Sequence, residues 1–269
     1  MKYLTLIFVF IFSYTASYAV QSPQELSVSN PIEVGPIEVT VGMYPFAPFV
    51  EQKEQGVLSG MTLDMLTALN NQQNKYIFKP FVIPPKRRYL SYQNGDYDLI
   101  FYENSTWSWN EYDVEVSDVY QVGGEVYVGL NKEGRGQEYF YDLTSKRMMG
   151  ILGFHYGFAD FKTDEAYLRE KFNMTLVNSN DKNLSKLLTG RGDIALFNQA
   201  YLQRYFFENP KVKDKLLVSE KLDQEYRHAV LVRPGIQPSV EEINRMLKSL
   251  QRSGIMASLW KKYGIKANK

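Results

Sequence analysis

Two polar side chains end two similar stretches of the chain, and their types suit hydrogen bonding to a small polar molecule. Residues 95–103 and 190–198 share one pattern: Gly, two residues, Asp, four mostly apolar residues and a polar residue. The polar residue is Glu103 in the first copy and Asn198 in the second. Each apolar run has the length of a strand buried on both faces of a parallel sheet. Ligands collect beyond the carboxyl ends of such strands, so we expect Glu103 and Asn198 at a shared cleft.

The spacing of the two copies predicts two lobes. Each Gly-x-x-Asp taken alone also fits a plain turn between a helix and a strand, with glycine at the helix C-terminus. The two copies start 95 residues apart, which favours two similar α/β lobes. We predict lobe 1 over residues 36–125 and 228–269, and lobe 2 over residues 126–227. Extended crossings near 122–130 and 228–232 would join the lobes and form a hinge.

Local patterns in lobe 1 predict the elements that position the first copy. Alternation and apolar content indicate strands over 37–41 and 76–83. Apolar residues at helical spacing indicate a helix over 61–71. The Pro84-Pro85 pair suits the entry to a second helix that starts near Lys86.

The start of the chain resembles a secretory signal. It has Lys2, an apolar core over residues 4–12, and Ser17-Tyr18-Ala19 as a small-x-small cleavage site. We predict a signal peptide over residues 1–19 and a loose leader over residues 20–35. The mature chain is then expected to be soluble and periplasmic.

Composition excludes several classes of function. Without the signal, 30 Lys and Arg residues (31 less Lys2) balance 30 Asp and Glu residues, so charge gives no case for nucleic acid binding. The chain has no cysteine, which excludes disulfides, thiol catalysis, thiolate metal sites and a lipid-modified cysteine. Its two histidines, His155 and His228, and the absence of Gly-x-Ser-x-Gly, P-loop and dinucleotide motifs give little support to a hydrolase triad, a metal site or a nucleotide cofactor.

Five short phrases occur in a familiar order. They are Phe46-Ala47-Pro48-Phe49, Gly60 to Met65, Val116 to Tyr120, Gly150 to Gly153, and Ala257 to Gly264. Together they resemble the extracellular solute-binding proteins of family 3, periplasmic receptors that usually feed polar amino acid ABC transporters. The resemblance implies a type II periplasmic-binding-protein fold, with two α/β lobes joined by two crossing strands. It also implies closure on a small-molecule ligand, ABC transporter membrane subunits as partners, no cofactor, and a monomer.

Two departures from the family bear on the ligand. Family members that bind α-amino acids hold the carboxylate with an Arg eight residues before the Asp of Ser-Asp-Pro-Tyr, and that position is Asn110 here. They hold the ammonium group with an Asp five residues after the Asp of the second repeat, and that position is Asn198. An amide can still form hydrogen bonds, but the charge-assisted bidentate contact is lost.

Two other charged residues are candidates to replace the missing ones. Glu103 would place a carboxylate in the cleft for a cationic group, and Arg87 would reach the same space for an anionic group. Alternatively, Arg87 and Glu103 pair with each other or face solvent. If Glu103 faces the cleft, Glu103→Gln should abolish binding of a cationic ligand and leave melting of the empty protein nearly unchanged.

Loop aromatics complete the predicted site. Phe46 lies where the family stacks a ring on the ligand, although it could also pack beneath its loop. His155 belongs to the turn after the first strand of lobe 2, where backbone N–H groups commonly meet anions, although it could also be a surface histidine. The predicted ligand-binding set is Tyr44, Phe46, Arg87, Glu103, Trp107, Asn110, Phe154, His155, Tyr156 and Asn198.

The sequence therefore predicts a binding protein rather than an enzyme. It would close on an amino-acid-like solute, an amine or an organic acid and deliver it to an ABC transporter. A ligand-binding partner of a membrane sensor would use the same closing motion. A periplasmic dehydratase of the same fold is a further alternative, with Glu103 as general acid or base if burial raised its pKa.

Overall fold

The computed structural model describes Met1, residues 35–52 and residues 56–265. Apart from Met1 and Gly35, the predicted signal peptide and leader lie outside these described residues. Within the described ranges, no helix has the length and apolar character needed to cross a bilayer. The described residues form the mixed α/β fold that the sequence predicts.

The first lobe is built on a parallel sheet with helices against it. In chain order its first elements are β1 (Ile37–Met43), β2 (Glu51–Gln52), β3 (Leu58–Ser59), α1 (Met61–Gln72), β4 (Tyr76–Val82), α2 (Arg88–Gln93), β5 (Leu99–Glu103) and β6 (Glu115–Val116). Strand β1 pairs in parallel with both β4 and β5. The predicted strands and the predicted first helix agree with β1, β4 and α1 to within two residues at each end.

The second lobe repeats the arrangement. The connecting strand β7 (Gln121–Leu130) leads into it, and its further elements are β8 (Met148–Ile151), α3 (Glu165–Phe172), β9 (Thr175–Val177), α4 (Asn180–Leu188), β10 (Ile194–Asn198), α5 (Gln199–Glu208) and α6 (Pro210–Lys213). Strand β8 pairs in parallel with β9 and β10. The chain then returns through β11 (Leu216–Val232) and ends in α7 (Val240–Arg252) and α8 (Ile255–Lys262).

Two long strands connect the lobes. The sheet order is β4-β1-β5-β11-β7-β10-β8-β9, and β6 pairs with β11. Strand β11 pairs with β7 along residues 216–228 and with β5 along residues 229–232, so it belongs to both halves. The predicted second crossing at 228–232 is only its last part. Between Val218 and Gln224 the strand contains polar residues and register shifts. These interrupt the residue alternation from which a strand is predicted.

The two sequence repeats have the same structural role. Strands β5 and β10 are buried along their whole length, and each ends at the polar residue of its repeat. The Asp98 carboxylate accepts a hydrogen bond from the Thr40 backbone N–H at 2.7 Å. The Asp193 carboxylate accepts one from the Arg147 backbone N–H at 2.9 Å. Each repeat aspartate therefore fastens its turn to a neighbouring segment in its own lobe.

Gly60 fixes the start of α1, and its substitution gives a first prediction. Its φ of 124° is strained for other residues, and a Cβ there would lie 2.5 Å from the Phe49 carbonyl oxygen. That oxygen accepts the Thr62 N–H at 2.9 Å. We expect Gly60→Ala to lower the free energy of unfolding by about 3 kcal/mol in urea denaturation.

The matched control for Gly60→Ala is Gly95→Ala. Gly95 also has a positive φ, 79°, but a Cβ there would meet nothing within 4 Å. Gly95→Ala should lower the free energy of unfolding only by the cost of placing alanine in this backbone conformation, about 1 kcal/mol. Equal losses at the two glycines would contradict the proposed clash with Phe49.

Candidate functional site

Eight side chains from both lobes and the crossing strands enclose a cavity. They are Tyr44, Phe46, Arg88, Trp107, Glu125, Phe154, His155 and Tyr226. The enclosed space is about 10 Å³, room for about one water molecule. Five of the ten predicted site residues line this cavity: Tyr44, Phe46, Trp107, Phe154 and His155.

Among the described residues, Arg88 is the Lys or Arg side chain that is buried, with 1% of its surface exposed. Its Nη1 donates to the Pro85 carbonyl at 2.6 Å and to the Gly153 carbonyl at 3.2 Å. Its Nη2 donates to the Tyr89 hydroxyl at 2.8 Å and lies 3.0 Å from Nδ1 of His155. The guanidinium of lobe 1 therefore reaches two residues of the turn after β8 in lobe 2.

His155 is held neutral in this contact. Burial, followed by the positive charge of Arg88, lowers the pKa of His155 to about 3. At neutral pH its Nδ1 can then accept the hydrogen bond from Arg88 while Nε2 carries the proton. That backbone N–H groups of this turn meet ligand anions stays a prediction. In the structure the Gly153 carbonyl meets the Arg88 cation instead.

Glu103 lies directly beside Arg88 and is fully buried. Its Oε2 accepts a hydrogen bond from Nε1 of Trp109 at 2.7 Å. Its Oε1 lies 3.6 Å from Nε of Arg88, and the two side chains form a buried ion pair. Burial raises the pKa of Glu103, whereas the charge of Arg88 and the hydrogen bonds from Trp109 and Tyr44 oppose that change. Glu103 therefore supports Arg88 from behind the cavity wall.

The structure corrects the placement of the predicted cation. Arg87 is exposed and does not line the cavity. A 3₁₀ turn over Pro85–Arg87 precedes α2, so the next residue, Arg88, faces inward. The buried positions of α2 are 88, 91 and 92, a helical i, i+3, i+4 face that the sequence could have revealed. The pairing that we considered for Arg87 and Glu103 is made by Arg88.

Two other predicted residues, Asn110 and Tyr156, lie away from the cavity. Asn110 is exposed in the 3₁₀ turn over Trp109–Glu111, where Trp109 takes the inward position. The Tyr156 hydroxyl accepts the Ile151 N–H at 2.5 Å, which directs the ring beneath β8. Neither residue is among those that line the cavity.

Asn198 is buried, and both polar atoms of its side-chain amide form hydrogen bonds within the protein. Its Oδ1 accepts the Tyr201 N–H at 2.7 Å and so caps the N-terminus of α5. Its Nδ2 donates to the Ala47 carbonyl of lobe 1 at 2.8 Å. Asn198 therefore joins the lobes at the edge of the cleft and is not one of the cavity-lining residues.

Sequence reasoning missed Glu125, a second buried carboxyl group at the cavity. It lies on β7, has 2% of its surface exposed, and accepts the Tyr226 hydroxyl at 2.5 Å and Nε2 of Gln224 at 3.3 Å. Burial is the main reason that the pKa of Glu125 rises to about 8. The available signal was a single acidic residue inside an otherwise apolar and glycine-containing strand.

Aromatic rings from both lobes pack around these polar groups. The Phe46 ring lies 5.4 Å from Phe154 of lobe 2 and 6.1 Å from Trp107 of lobe 1, between ring centroids. Nε1 of Trp107 donates to Gln224 on β11 at 2.8 Å. Phe46 thus both lines the cavity and packs under its loop, which combines the two interpretations of its sequence position. No set of three or more His, Asp or Glu side chains in the described ranges could hold a metal ion.

Comparison with known proteins identifies the family. The model of the bacterial extracellular solute-binding proteins, family 3, matches residues 39–266. The chain belongs to this family. No curated protein matches the sequence of this solute-binding protein.

Several solved structures share the fold of this solute-binding protein. A substrate-binding protein of an ABC uptake transporter from Streptococcus pneumoniae, with bound histidine, has 22% identity and a TM-score of 0.66 over 84% of this chain and 92% of that one. A mutant of ArgBP from T. maritima has 20% identity and a TM-score of 0.64 over 84% and 94%. A putative ABC transporter binding component from Wolinella succinogenes, complexed with lysine, has 15% identity and a TM-score of 0.65 over 86% and 97%. These likenesses establish the two-lobed type II fold.

One further neighbour relates to the enzymatic alternative. The ancestral amino acid-binding protein AncCDT-1, described as a precursor of cyclohexadienyl dehydratase, has 17% identity and a TM-score of 0.61 over 84% of this chain and 95% of that one. At this identity the likeness concerns the fold alone. Family membership favours binding over catalysis for the present solute-binding protein.

Proposed function

We propose that this solute-binding protein closes on a small polar ligand between its lobes and delivers it to an ABC transporter. The observation that carries the proposal is the buried Arg88 guanidinium at the wall of an interlobe cavity lined by aromatic rings. Aromatic walls with a few fixed polar groups are typical of small-molecule sites. Arg88 would exchange its contacts to Gly153 and His155 for an anionic group of the ligand.

Contacts between the lobes support a hinge mechanism. Lys86 forms an ion pair with Glu165, and Arg204 forms one with Glu51 at 2.5 Å, each across the two lobes. Ligand pockets usually occupy about 300 to 1,000 Å³, far more than the cavity of about 10 Å³. Ligand entry therefore requires the lobes to separate about β7 and β11, and a ligand that contacts both lobes favours closure.

The finer points of the function are also proposals. The ligand is an amino-acid-like solute, an amine or an organic acid, and the mature protein acts as a periplasmic monomer after removal of residues 1–19. The lobe boundaries are those predicted above, residues 36–125 and 228–269 against 126–227. A membrane sensor could replace the transporter as partner without any change in the cleft.

A thermal-shift screen tests the proposed function. Residues 20–269 would be heated with amino acids, amines, small organic acids and short peptides. A ligand present at 100 times its Kd should stabilise the folded state by about 2.7 kcal/mol. A panel that leaves the melting temperature unchanged and gives no saturable binding in equilibrium dialysis would contradict the proposal.

Two conservative variants locate the site in the same screen. Arg88→Lys keeps the charge beside Glu103 but loses the planar fork of donors, so we expect the hit to bind at least about tenfold more weakly. Arg87→Lys changes the exposed neighbour and should bind like the wild type. Equal affinities of all three proteins would place the ligand elsewhere.

A second candidate function is a lyase of the dehydratase type. Glu125 favours it, because a carboxyl group with a pKa of about 8 is mostly protonated at neutral pH and can act as a general acid. Glu103, the residue that the sequence suggested for this role, is engaged by Arg88 and Trp109. Chromatography of the thermal-shift hits after prolonged incubation would distinguish the two functions, since a receptor returns its ligand unchanged.

A further inference from the structure

We propose that Glu125, on the strand that joins the lobes, contacts a cationic group of the ligand. The solute would then carry an amine, ammonium or guanidinium group for Glu125 as well as an anionic group for Arg88. This inference rests on the proposed function and adds a specificity-determining residue to it.

The first argument is the position of Glu125 relative to Asn198. In the antiparallel pairing of β7 with β10, Glu125 lies directly opposite Asn198. Opposed residues of neighbouring strands present their side chains on the same face, with Cβ atoms about 5 Å apart. Glu125 therefore lies on the same face of the sheet as Asn198, the polar residue that ends the second repeat.

The second argument is the use of the two side chains. Both polar atoms of the Asn198 amide are engaged by protein groups, Tyr201 and Ala47. Glu125 instead lines the cavity together with Arg88, and the hydrogen bonds that it accepts from Tyr226 and Gln224 both go to one oxygen, Oε2. Of this opposed pair, only the carboxyl group is in a position to meet a ligand.

The third argument is the missing counter-charge. Among the described residues, no Lys, Arg or His nitrogen lies within ion-pair distance of Glu125. The titratable and charged groups that face Glu125 come from five parts of the fold. They are Tyr127 on its own strand, Tyr226 and Asp223 on β11, His155 and Tyr156 after β8, Tyr44 after β1, and Arg88 at the start of α2. Of these, Arg88 alone is cationic at neutral pH, and it pairs with Glu103. A ligand cation would supply what the protein does not.

Binding of such a ligand should release a proton. Because burial raises the pKa of Glu125 to about 8, the empty site holds its proton at neutral pH. A cationic group beside the carboxyl favours the ionised form, so about nine-tenths of a proton should leave per ligand bound at pH 7. The affinity should rise about 50-fold between pH 6 and pH 8 for a ligand whose charge is constant over that range.

Isothermal titration calorimetry tests the inference. The probes are L-arginine and L-lysine, which carry both charges, putrescine, which is cationic only, and succinate, which is anionic only. Titrations are run at pH 7 in phosphate, imidazole and Tris buffers, which differ in ionisation enthalpy. The slope of the observed binding enthalpy against the buffer's ionisation enthalpy gives the number of protons released. We expect a two-charge probe to bind best, with proton release that falls at pH 8.5.

The matched variants are Glu125→Gln and Glu225→Gln. Glutamine at position 125 keeps an acceptor for Tyr226 but no charge, so binding of the two-charge probe should weaken at least about tenfold and its linked proton release should disappear. Glu225 is an exposed residue of the adjacent strand, and Glu225→Gln should bind like the wild type. A melting curve at each pH establishes that both variants are folded.

The outcomes separate this inference from the proposed function. If Glu125→Gln binds the probe within twofold of the wild type with the same proton release, the role of Glu125 is overturned and the receptor function stands. The same holds if succinate, or another ligand without a cationic group, binds more tightly than the two-charge probes. If the wild type binds none of these probes and no compound of the broader screen, both the function and the role of Glu125 are overturned.

Discussion

Arg88→Gln is expected to lower the free energy of unfolding by about 3 to 5 kcal/mol. The substitution leaves the Glu103 carboxylate fully buried without its counter-charge. It also removes donors from the carbonyl groups of Pro85 and Gly153. Urea denaturation of the ligand-free protein at pH 7 measures the loss. Arg87→Gln is the matched control, and at this exposed neighbour the change should stay within about 0.5 kcal/mol.

A double-mutant cycle measures the interaction energy between Arg88 and Glu103. Glu103→Gln alone should also destabilise the empty protein by about 3 kcal/mol, since it leaves the Arg88 charge buried and unpaired. This replaces the expectation from sequence that Glu103→Gln leaves melting nearly unchanged. The double variant should lose less than the sum of the single losses, by about 1 to 3 kcal/mol. Strictly additive losses would contradict the ion pair.

The stability of the ligand-free protein is expected to peak near pH 6.5, between two limbs with different causes. Burial lowers the pKa of His155 and of His228 to about 3, below the ordinary 6.5, so the unfolded chain binds more protons than the folded one as pH falls below 6.5. Stability is therefore lost on the acid side, by about 1.4 kcal/mol per pH unit for each histidine.

The alkaline limb arises from Glu125. Its pKa of about 8 lies above the ordinary 4.5, so the contribution is complete below pH 4.5 and is lost as pH rises through 8. Between pH 6.5 and pH 8 this loss is about 2 kcal/mol. Burial also raises the pKa of Asp223 and Glu103, which adds to the same limb. Between pH 4.5 and 6.5 Glu125 offsets one histidine, so the steepest acid loss should occur below pH 4.5.

Two variants assign the limbs. His228 is fully buried among aromatic rings, and neither ring nitrogen has a hydrogen-bond partner among the described residues. His228→Leu should therefore remove about 1.4 kcal/mol per pH unit from the acid limb, so that stability becomes nearly constant between pH 4.5 and 6.5, where Glu125 offsets the remaining histidine. The substitution should not destabilise the protein at pH 7 by more than about 1 kcal/mol. Glu125→Gln should flatten the alkaline limb. Chemical denaturation from pH 4 to pH 9 provides the curves, and wild-type limbs retained in both variants would contradict the assignment.

The repeats made much of the fold predictable. The two Gly-x-x-Asp phrases mark the turns before β5 and β10, and the buried apolar runs and terminal polar residues lie where the sequence placed them. Such local signals work because a central parallel strand must be apolar on both faces. Gly-x-x-Asp was interpreted either as a plain helix-to-strand turn or as a mark of two similar lobes. Both interpretations hold, because the phrase is such a turn and occurs once in each lobe.

The site was less predictable, because it depends on side-chain direction and on distant contacts. A one-residue change of register at the 3₁₀ turn places Arg88 in the cavity instead of Arg87. Asn198 ends the expected strand, but its amide caps helix α5 and donates to the Ala47 carbonyl, so both polar atoms are already hydrogen-bonded. Glu125 gains its partners from β11, about 100 residues later in the chain, at separations of 99 and 101 residues. No local pattern encodes such contacts.

The central claim, that the lobes close on a ligand, is tested most directly by the distance between two spin labels. The chain has no cysteine, so Leu90→Cys and Arg169→Cys would be the sole labelling sites. They lie four residues after Lys86 and Glu165, which pair across the cleft, and both side chains are exposed. Double electron–electron resonance should give a broad distribution with long distances for the empty protein, and one short distance with saturating ligand. Identical distributions with and without a ligand whose binding calorimetry has established would contradict the account.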